Sequence, residues 1–173
     1  MKLLLISNST NSGENYLAHA KNQIKDFLGE KKRQPVFIPY AAVTFSFAEY
    51  EKKVNEAFAD IGHHVIGIHR FDHPAEAIEN ADAIVVGGGN TWHLVKMLQD
   101  NKLIEAIRKK AKEGTPYIGW SAGANIACPT LKTTNDMPIV EPAKFETLSL
   151  IPFQINPHYT DEHPINFSGE TRE

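Results

Sequence analysis

Short apolar runs alternate with longer amphipathic stretches along this chain. Residues 2–7, 36–39, 65–69, 83–86 and 117–120 are brief and largely apolar, several of them rich in β-branched side chains. Runs of that kind, lacking strict alternation, predict strands buried on both faces of a parallel sheet. Between them the apolar spacing becomes helical. Over 14–28 it groups Tyr16, Leu17, Ala20, Ile24 and Phe27; over 46–61 it groups Phe47, Tyr50, Val54, Phe58 and Ile61, with Gly62 as the stop. Two further helices are predicted over 91–98 and 103–113, the second ended by Gly114-Thr115-Pro116. This repeated β-α-β order predicts one α/β domain over residues 1–173, a mostly parallel sheet with helices on both faces.

From residue 129 onward the pattern loosens. Pro129, Pro138, Pro142, Pro152, Pro157 and Pro164 fall in this stretch, which reads as loops and short strands laid over one end of the sheet. At the end, Ser168 is placed as an N-cap, and Glu170-Thr171-Arg172-Glu173 reads as the first turn of a helix with acids near its positive end. One turn without an apolar face does not sustain a helix, so the expectation is a domain that lacks its C-terminal portion.

Composition narrows the class. With 42% hydrophobic and 23% charged residues the chain is ordinary globular protein. Its 18 basic against 21 acidic residues leave a net charge of −3, which argues against nucleic acid or an anionic membrane as the main partner. A single cysteine, Cys128, permits neither an intrachain disulfide nor a multi-cysteine zinc site. No run approaches the ~20 apolar residues of a membrane helix, and residues 3–6 are too short for a signal-peptide core. A cytoplasmic location is expected.

The candidate chemistry centres on Gly119-Trp120-Ser121-Ala122-Gly123, a G-x-S-x-G pattern entered from an apolar strand and left through small residues. A serine on a tight strand-to-helix turn tolerates no bulky neighbours, and the turn lifts its hydroxyl clear of the backbone. The N–H of Ala122 then faces a developing oxyanion. A glycine-rich turn packed on the sheet would show the same letters, so context has to decide. Gly87-Gly88-Gly89-Asn90-Thr91 follows the strand over 83–86 and lacks both the dinucleotide-binding and the P-loop spacing. In a parallel sheet this turn shares an edge with Ser121, and Gly89 is the expected second oxyanion donor, with Asn90 beside it as a substrate contact.

Of eight histidines, His63, His64, His69 and His73 gather around the third strand without a ligand pattern, and His19 and His93 lie on predicted helices. They read as surface or packing residues. His158 differs: Asn156-Pro157 stiffens the approach to it, and a general base must be held within hydrogen-bond reach of its nucleophile. An acid should orient that imidazole. Asp136, between serine and histidine in the loop-rich region, is the leading candidate over Glu141, Glu146, Asp161, Glu162 and Glu170.

Taken together these segments resemble peptidase E, the aspartyl dipeptidase family of serine hydrolases. The match runs from residues 3–10 through 37–39, 67–70, 86–91, 117–125, 127–130, 133–138 and 154–158 to 169–173. The resemblance implies a flavodoxin-like three-layer sandwich related to class I glutamine amidotransferases. It also implies an exopeptidase that cleaves dipeptides with N-terminal aspartate, using neither metal nor cofactor. Ser121 would be the nucleophile, His158 the base and later acid, and Asp136 the charge partner, with a glutamate further along family chains as its rival. Arg172 would clamp the substrate's side-chain carboxylate bidentately, a contact neutral asparagine does not reproduce.

Two alternatives stand beside that reading. A cyanophycinase-like hydrolase of aspartyl polymers shares the elbow and differs in its pocket. An inactive fragment or Asp-peptide binding module follows if the missing portion carries the acid. A glutamine amidotransferase needs cysteine at the elbow, where this chain has Ser121.

Overall fold

The computed structural model describes residues 1–30 and 33–159. Five strands, β1 (Leu3–Ile6), β2 (Val36–Ile38), β3 (Ile66–Gly67), β4 (Ile84–Val86) and β5 (Tyr117–Trp120), form one sheet in the order β1-β5-β4-β2-β3. Every pairing is parallel. β2, β4 and β5 have neighbours on both sides and are buried along their whole length, whereas Leu3, Leu4 and Leu5 on the edge strand β1 are half-buried. That is why the central strands read as unbroken apolar runs.

Helices α1 (Lys21–Leu28) and α2 (Phe47–Ala59) cover one face, against Phe37, Val85, Ile118 and Trp120. The other face, with Ile38, Ile84, Val86 and Tyr117, is covered by α3 (Pro74–Glu79), α4 (Thr91–Asp100), α5 (Leu103–Lys112) and the short α6 (Ala122–Asn125). Neighbouring residues of one strand divide between the two cores, as strand geometry requires. Right-handed crossovers account for the layering. The chain crosses the sheet one way through α1 and α2 and returns through α3, α4 and α5, so the two sets fall on opposite faces. This is the flavodoxin-like three-layer architecture.

Local chemistry sets the element ends. Ser46 caps α2 in a reciprocal box: its hydroxyl accepts from the Glu49 N–H at 3.2 Å, and the Glu49 carboxylate accepts from the Ser46 N–H at 2.8 Å. The predicted helix over 14–28 begins only at Ala18, because Leu17 takes φ 58° and donates its N–H to the Ser9 carbonyl at 2.7 Å. The third strand is shorter than the predicted 65–69. After Gly67 the chain turns into a 3-10 segment at Ile68–Arg70, and a Cβ on Gly67 would lie 2.5 Å from His69 Nδ1 and 2.9 Å from Glu51 Oε2. Helix α3 has no counterpart in the sequence reading. Its six residues span under two turns, and its start signal was Pro74 at the first helical position.

Beyond α6, residues 126–151 wrap the α4–α5 face. Leu131, Leu148 and Leu150 enter the core there, and Arg108 holds the segment through the Leu148 and Thr147 carbonyls at 2.8 and 2.7 Å. A lone antiparallel bridge joins Thr130 to Glu146. Among the described residues no helix is long and apolar enough to cross a membrane. The helix turn expected from Ser168 lies outside the described residues.

Candidate active site

The carboxyl ends of β1, β5, β4 and β2 line one edge of the sheet. The connections leaving β1 and β5 go to opposite faces, which opens a crevice between these two neighbours, the place where parallel sheets bind ligands. Ser121 stands at its rim, directly after β5. Its backbone adopts φ 52°, ψ −115°, a conformation that costs a non-glycine residue of order 1–3 kcal/mol. The surroundings enforce it: the Ser121 N–H donates to Ile6 O at 3.0 Å, and its carbonyl accepts from Ala124 and Asn125 at the start of α6.

The flanking glycines follow from close packing. A Cβ on Gly123 would collide with the Val86 carbonyl, and one on Gly119 would lie 2.5 Å from the Gly123 carbonyl carbon. Gly87, Gly88 and Gly89 each have a separate reason. A Cβ on Gly87 would meet the Tyr50 hydroxyl at 2.7 Å, and one on Gly88 would meet the Ser121 Cβ at 2.8 Å. Gly89 itself takes φ 134°, with the Ala41 carbonyl against it. The two glycine turns are therefore in mutual contact at the nucleophile position.

Ser121 Oγ lies 2.7 Å from His158 Nε2. The backbone N–H of His158 donates to Ser7 Oγ at 2.9 Å, so the histidine bridges the ends of β1 and β5 across the crevice. Side chains deliver it there. Asn125, fully buried, donates to the Ile155 carbonyl at 3.1 Å and to Thr133 Oγ1 at 2.9 Å, and Thr133 donates to the same carbonyl. The Ile155 N–H donates to Cys128 Sγ at 3.1 Å. Burial pushes the Cys128 thiol up, with the Ile155 N–H pulling it back, and the group serves as a buried acceptor rather than a nucleophile. Asn135 donates to Asn156 Oδ1 at 2.9 Å and to the Pro157 carbonyl at 3.4 Å.

Asp136, the acid expected beside the imidazole, meets the start of α4. Its Oδ2 accepts from the Thr91 N–H at 2.7 Å, Thr91 Oγ1 at 2.6 Å and Thr134 Oγ1 at 2.9 Å, and its carbonyl accepts from Trp92 Nε1 at 3.0 Å. Among the described residues no hydrogen bond joins it to His158. Asn90 caps α4 by accepting from the His93 N–H at 3.0 Å and donates to the Met137 carbonyl at 2.8 Å. Its amide is thus committed to the loop that carries Asp136. No described residue accepts from the N–H of Gly89 or of Ala122. Arg172, Asp161, Glu162 and Glu170 lie outside the described residues.

Elsewhere the histidines have local roles. His69 packs on Phe47 and lies 3.4 Å from the buried Glu51, which also accepts from Arg70 Nε at 2.6 Å. Burial lowers the His69 pKa and Glu51 partly restores it. The sequence reading missed Ser7, Asn125, Thr133 and Asn135. Ser7 was signalled by its place one residue past the first strand, on the edge shared with Ser121. The other three carry no pattern of their own.

A serine on a strained strand-to-helix turn, hydrogen-bonded to a histidine at the carboxyl edge of a parallel sheet, is the layout of an α/β serine hydrolase. The sequence matches the model of peptidase family S51 over residues 3–173. It is 56% identical to a peptidase E of Nostoc sp. over 172 residues, covering 99% of this chain and 71% of that protein. It is 51% identical to a peptidase E of Salmonella paratyphi A, covering 100% of this chain and 75% of that one. Among solved structures, that of a putative peptidase E from Listeria monocytogenes EGD-e superposes with a TM-score of 0.69 at 26% identity, covering 89% of this chain and 77% of that chain. A peptidase from an acI-B1 Actinobacterium shares the fold, with a TM-score of 0.59 at 19% identity, covering 75% of this chain and 57% of that chain. The chain belongs to peptidase family S51, and it is a peptidase.

Proposed function

We propose that this peptidase hydrolyses dipeptides with N-terminal aspartate through an acyl-enzyme on Ser121. The observation that carries the reading is the 2.7 Å contact between Ser121 Oγ and His158 Nε2 at a strained elbow. His158 Nε2 takes the hydroxyl proton as Oγ attacks the scissile carbonyl, and the tetrahedral oxyanion is met by the N–H groups of Gly89 and Ala122. The imidazolium then returns its proton to the leaving amine, so the carbon–nitrogen bond breaks and the second residue departs. Water, deprotonated by the same histidine, releases aspartate.

Asp136 supports this pair from the α4 side. Its carboxylate fixes the loop whose Asn135 grips the segment ahead of His158. Arg172 is assigned the substrate's side-chain carboxylate on its chemistry alone: a guanidinium forks onto a carboxylate and has no such match with an amide. The lone, buried thiol suits a reducing, cytoplasmic setting. The test is hydrolysis of Asp-Leu against Asn-Leu and Leu-Leu, with Ser121→Ala as control. Turnover of Asp-Leu alone, abolished in the variant, is expected. Activity that survives Ser121→Ala refutes the mechanism, and equal turnover of the three dipeptides refutes the specificity.

A further inference from the structure

Tyr50 lies in α2, on the face of the sheet away from α4, and its ring is buried beneath the two glycine turns. Its hydroxyl has three neighbours: the Gly88 carbonyl at 3.0 Å, Trp120 Nε1 at 3.1 Å and the Tyr16 hydroxyl at 3.2 Å. The proton pattern is forced. Indole N–H only donates and a carbonyl only accepts, so the Tyr50 oxygen accepts from Trp120 and gives its single proton to Gly88. Its remaining lone pair takes the Tyr16 hydroxyl. Burial raises the pKa of both phenols, which agrees with neutral donors.

The Gly88 carbonyl and the Gly89 N–H belong to one peptide unit. The described chain has no cis peptide bond, and in a planar trans unit C=O and N–H point in opposite directions. Pulling the carbonyl down onto Tyr50 therefore turns the Gly89 N–H away from the buried ring, out toward the open edge where Gly88 abuts Ser121. Gly87 and Asn90 are tied at either end of the turn by N–H bonds to the Ile38 and Ala41 carbonyls at 3.1 and 2.8 Å, and the Tyr50 hydroxyl holds the carbonyl between them. Trp120, which also bonds the phenol, is the residue before the nucleophile.

We propose that Tyr50 is a positioning residue for catalysis: its hydroxyl, whose proton the Trp120 indole N–H directs onto the Gly88 carbonyl, aims the Gly89 N–H at the oxyanion formed on attack by Ser121. The inference rests on the serine mechanism proposed above. A preaimed donor matters in the transition state and little in the ground state, so its loss should lower kcat and spare KM.

Three variants of this chain test it. Tyr50→Phe removes the hydroxyl and keeps the ring; kcat for Asp-Leu should fall about 10- to 100-fold, short of the loss for deleting a donor outright, with KM within about threefold. An aspartyl aldehyde, which adds to Ser121 Oγ to form a tetrahedral adduct, should weaken by a similar factor. Tyr16→Phe breaks the network without touching Gly88 and should keep kcat within about threefold. Tyr50→p-aminophenylalanine retains a donor at the same ring position and should hold kcat near the parent value, which also covers the case in which Tyr50→Phe does not fold. A Tyr50→Phe enzyme with unchanged kcat, an equal loss in Tyr16→Phe, or failure of the amino variant to retain activity overturns the proposal. Activity in Ser121→Ala refutes instead the mechanism on which it rests.

Discussion

Removing the Asp136 carboxylate separates two roles that one acid can play. Its Oδ2 holds the first N–H of α4 at 2.7 Å and the Thr91 and Thr134 hydroxyls at 2.6 and 2.9 Å, all half-buried. A hydrogen bond to a charged group contributes about 1.5–3 kcal/mol; one oxygen shared by three donors warrants the lower end, about 2 kcal/mol in total. The carboxylate also faces the positive end of α4, worth about another 1 kcal/mol in a half-buried setting. Asp136→Ala should therefore cost about 3 kcal/mol, and for a chain of this size about 6–12 °C in Tm. Asp136→Asn keeps an acceptor oxygen and loses the charge, so it should cost about 1 kcal/mol. Urea denaturation gives the free energies, and Asp-Leu kinetics on the same preparations give the second readout. If the carboxylate works by anchoring the loop of Asn135, Asp136→Asn retains kcat within about tenfold. A charge partner on the imidazole would cost about 10⁴-fold on the same change, judging from triad acids in other serine enzymes. Unaltered stability joined to a loss of that size would refute the anchoring argument.

Three further outcomes follow from the geometry. Gly123→Ala pushes a methyl into the Val86 carbonyl beneath the elbow; urea denaturation should show a loss of about 3 kcal/mol, the upper end for overpacking, with activity falling alongside. Ser46→Ala removes the α2 cap at the Glu49 N–H and should cost about 1 kcal/mol in the same assay. The third concerns alkaline pH. Burial raises the pKa of Tyr16, Tyr50 and Tyr117, so the folded chain keeps protons that the unfolded chain releases. Their contribution is complete below the ordinary phenol value of about 10 and declines as pH rises above it, by up to about 1.4 kcal/mol per unit for each tyrosine. Denaturation at about pH 9 and about pH 11, followed by tyrosinate absorbance, should show ionisation arriving with unfolding; ionisation ahead of unfolding contradicts the burial.

The layered fold was legible because buried parallel strands and amphipathic helices write different periods into the chain, and the β5–Ser121–α6 turn has its own glycine signature. Two departures share a cause in tertiary contacts. Leu17 is drawn out of the helical register by the Ser9 carbonyl, and β3 ends where Glu51 and His69 crowd Gly67. The contact of Asp136 with Thr91 is of the same kind. Periodicity carries none of that information. Tyr50 was read as one apolar position of a helix; its hydroxyl acquires a meaning only when α2 lies beneath the turn after β4.

The segment bearing His158 has no strand partner among the described residues. Among the described residues it is held through side chains, by Ser7, Asn125, Thr133, Asn135 and Cys128 and by Gln154 on Thr130, whereas Ser121 is locked between β1 and α6 by the sheet itself. Segments held in this way open at lower free energy than the sheet they rest on. Release of residues 154–158 would disarm the serine while leaving the elbow intact, making inactivation an event apart from unfolding. Amide hydrogen exchange should resolve them, with the His158 segment exchanging ahead of β4 and β5.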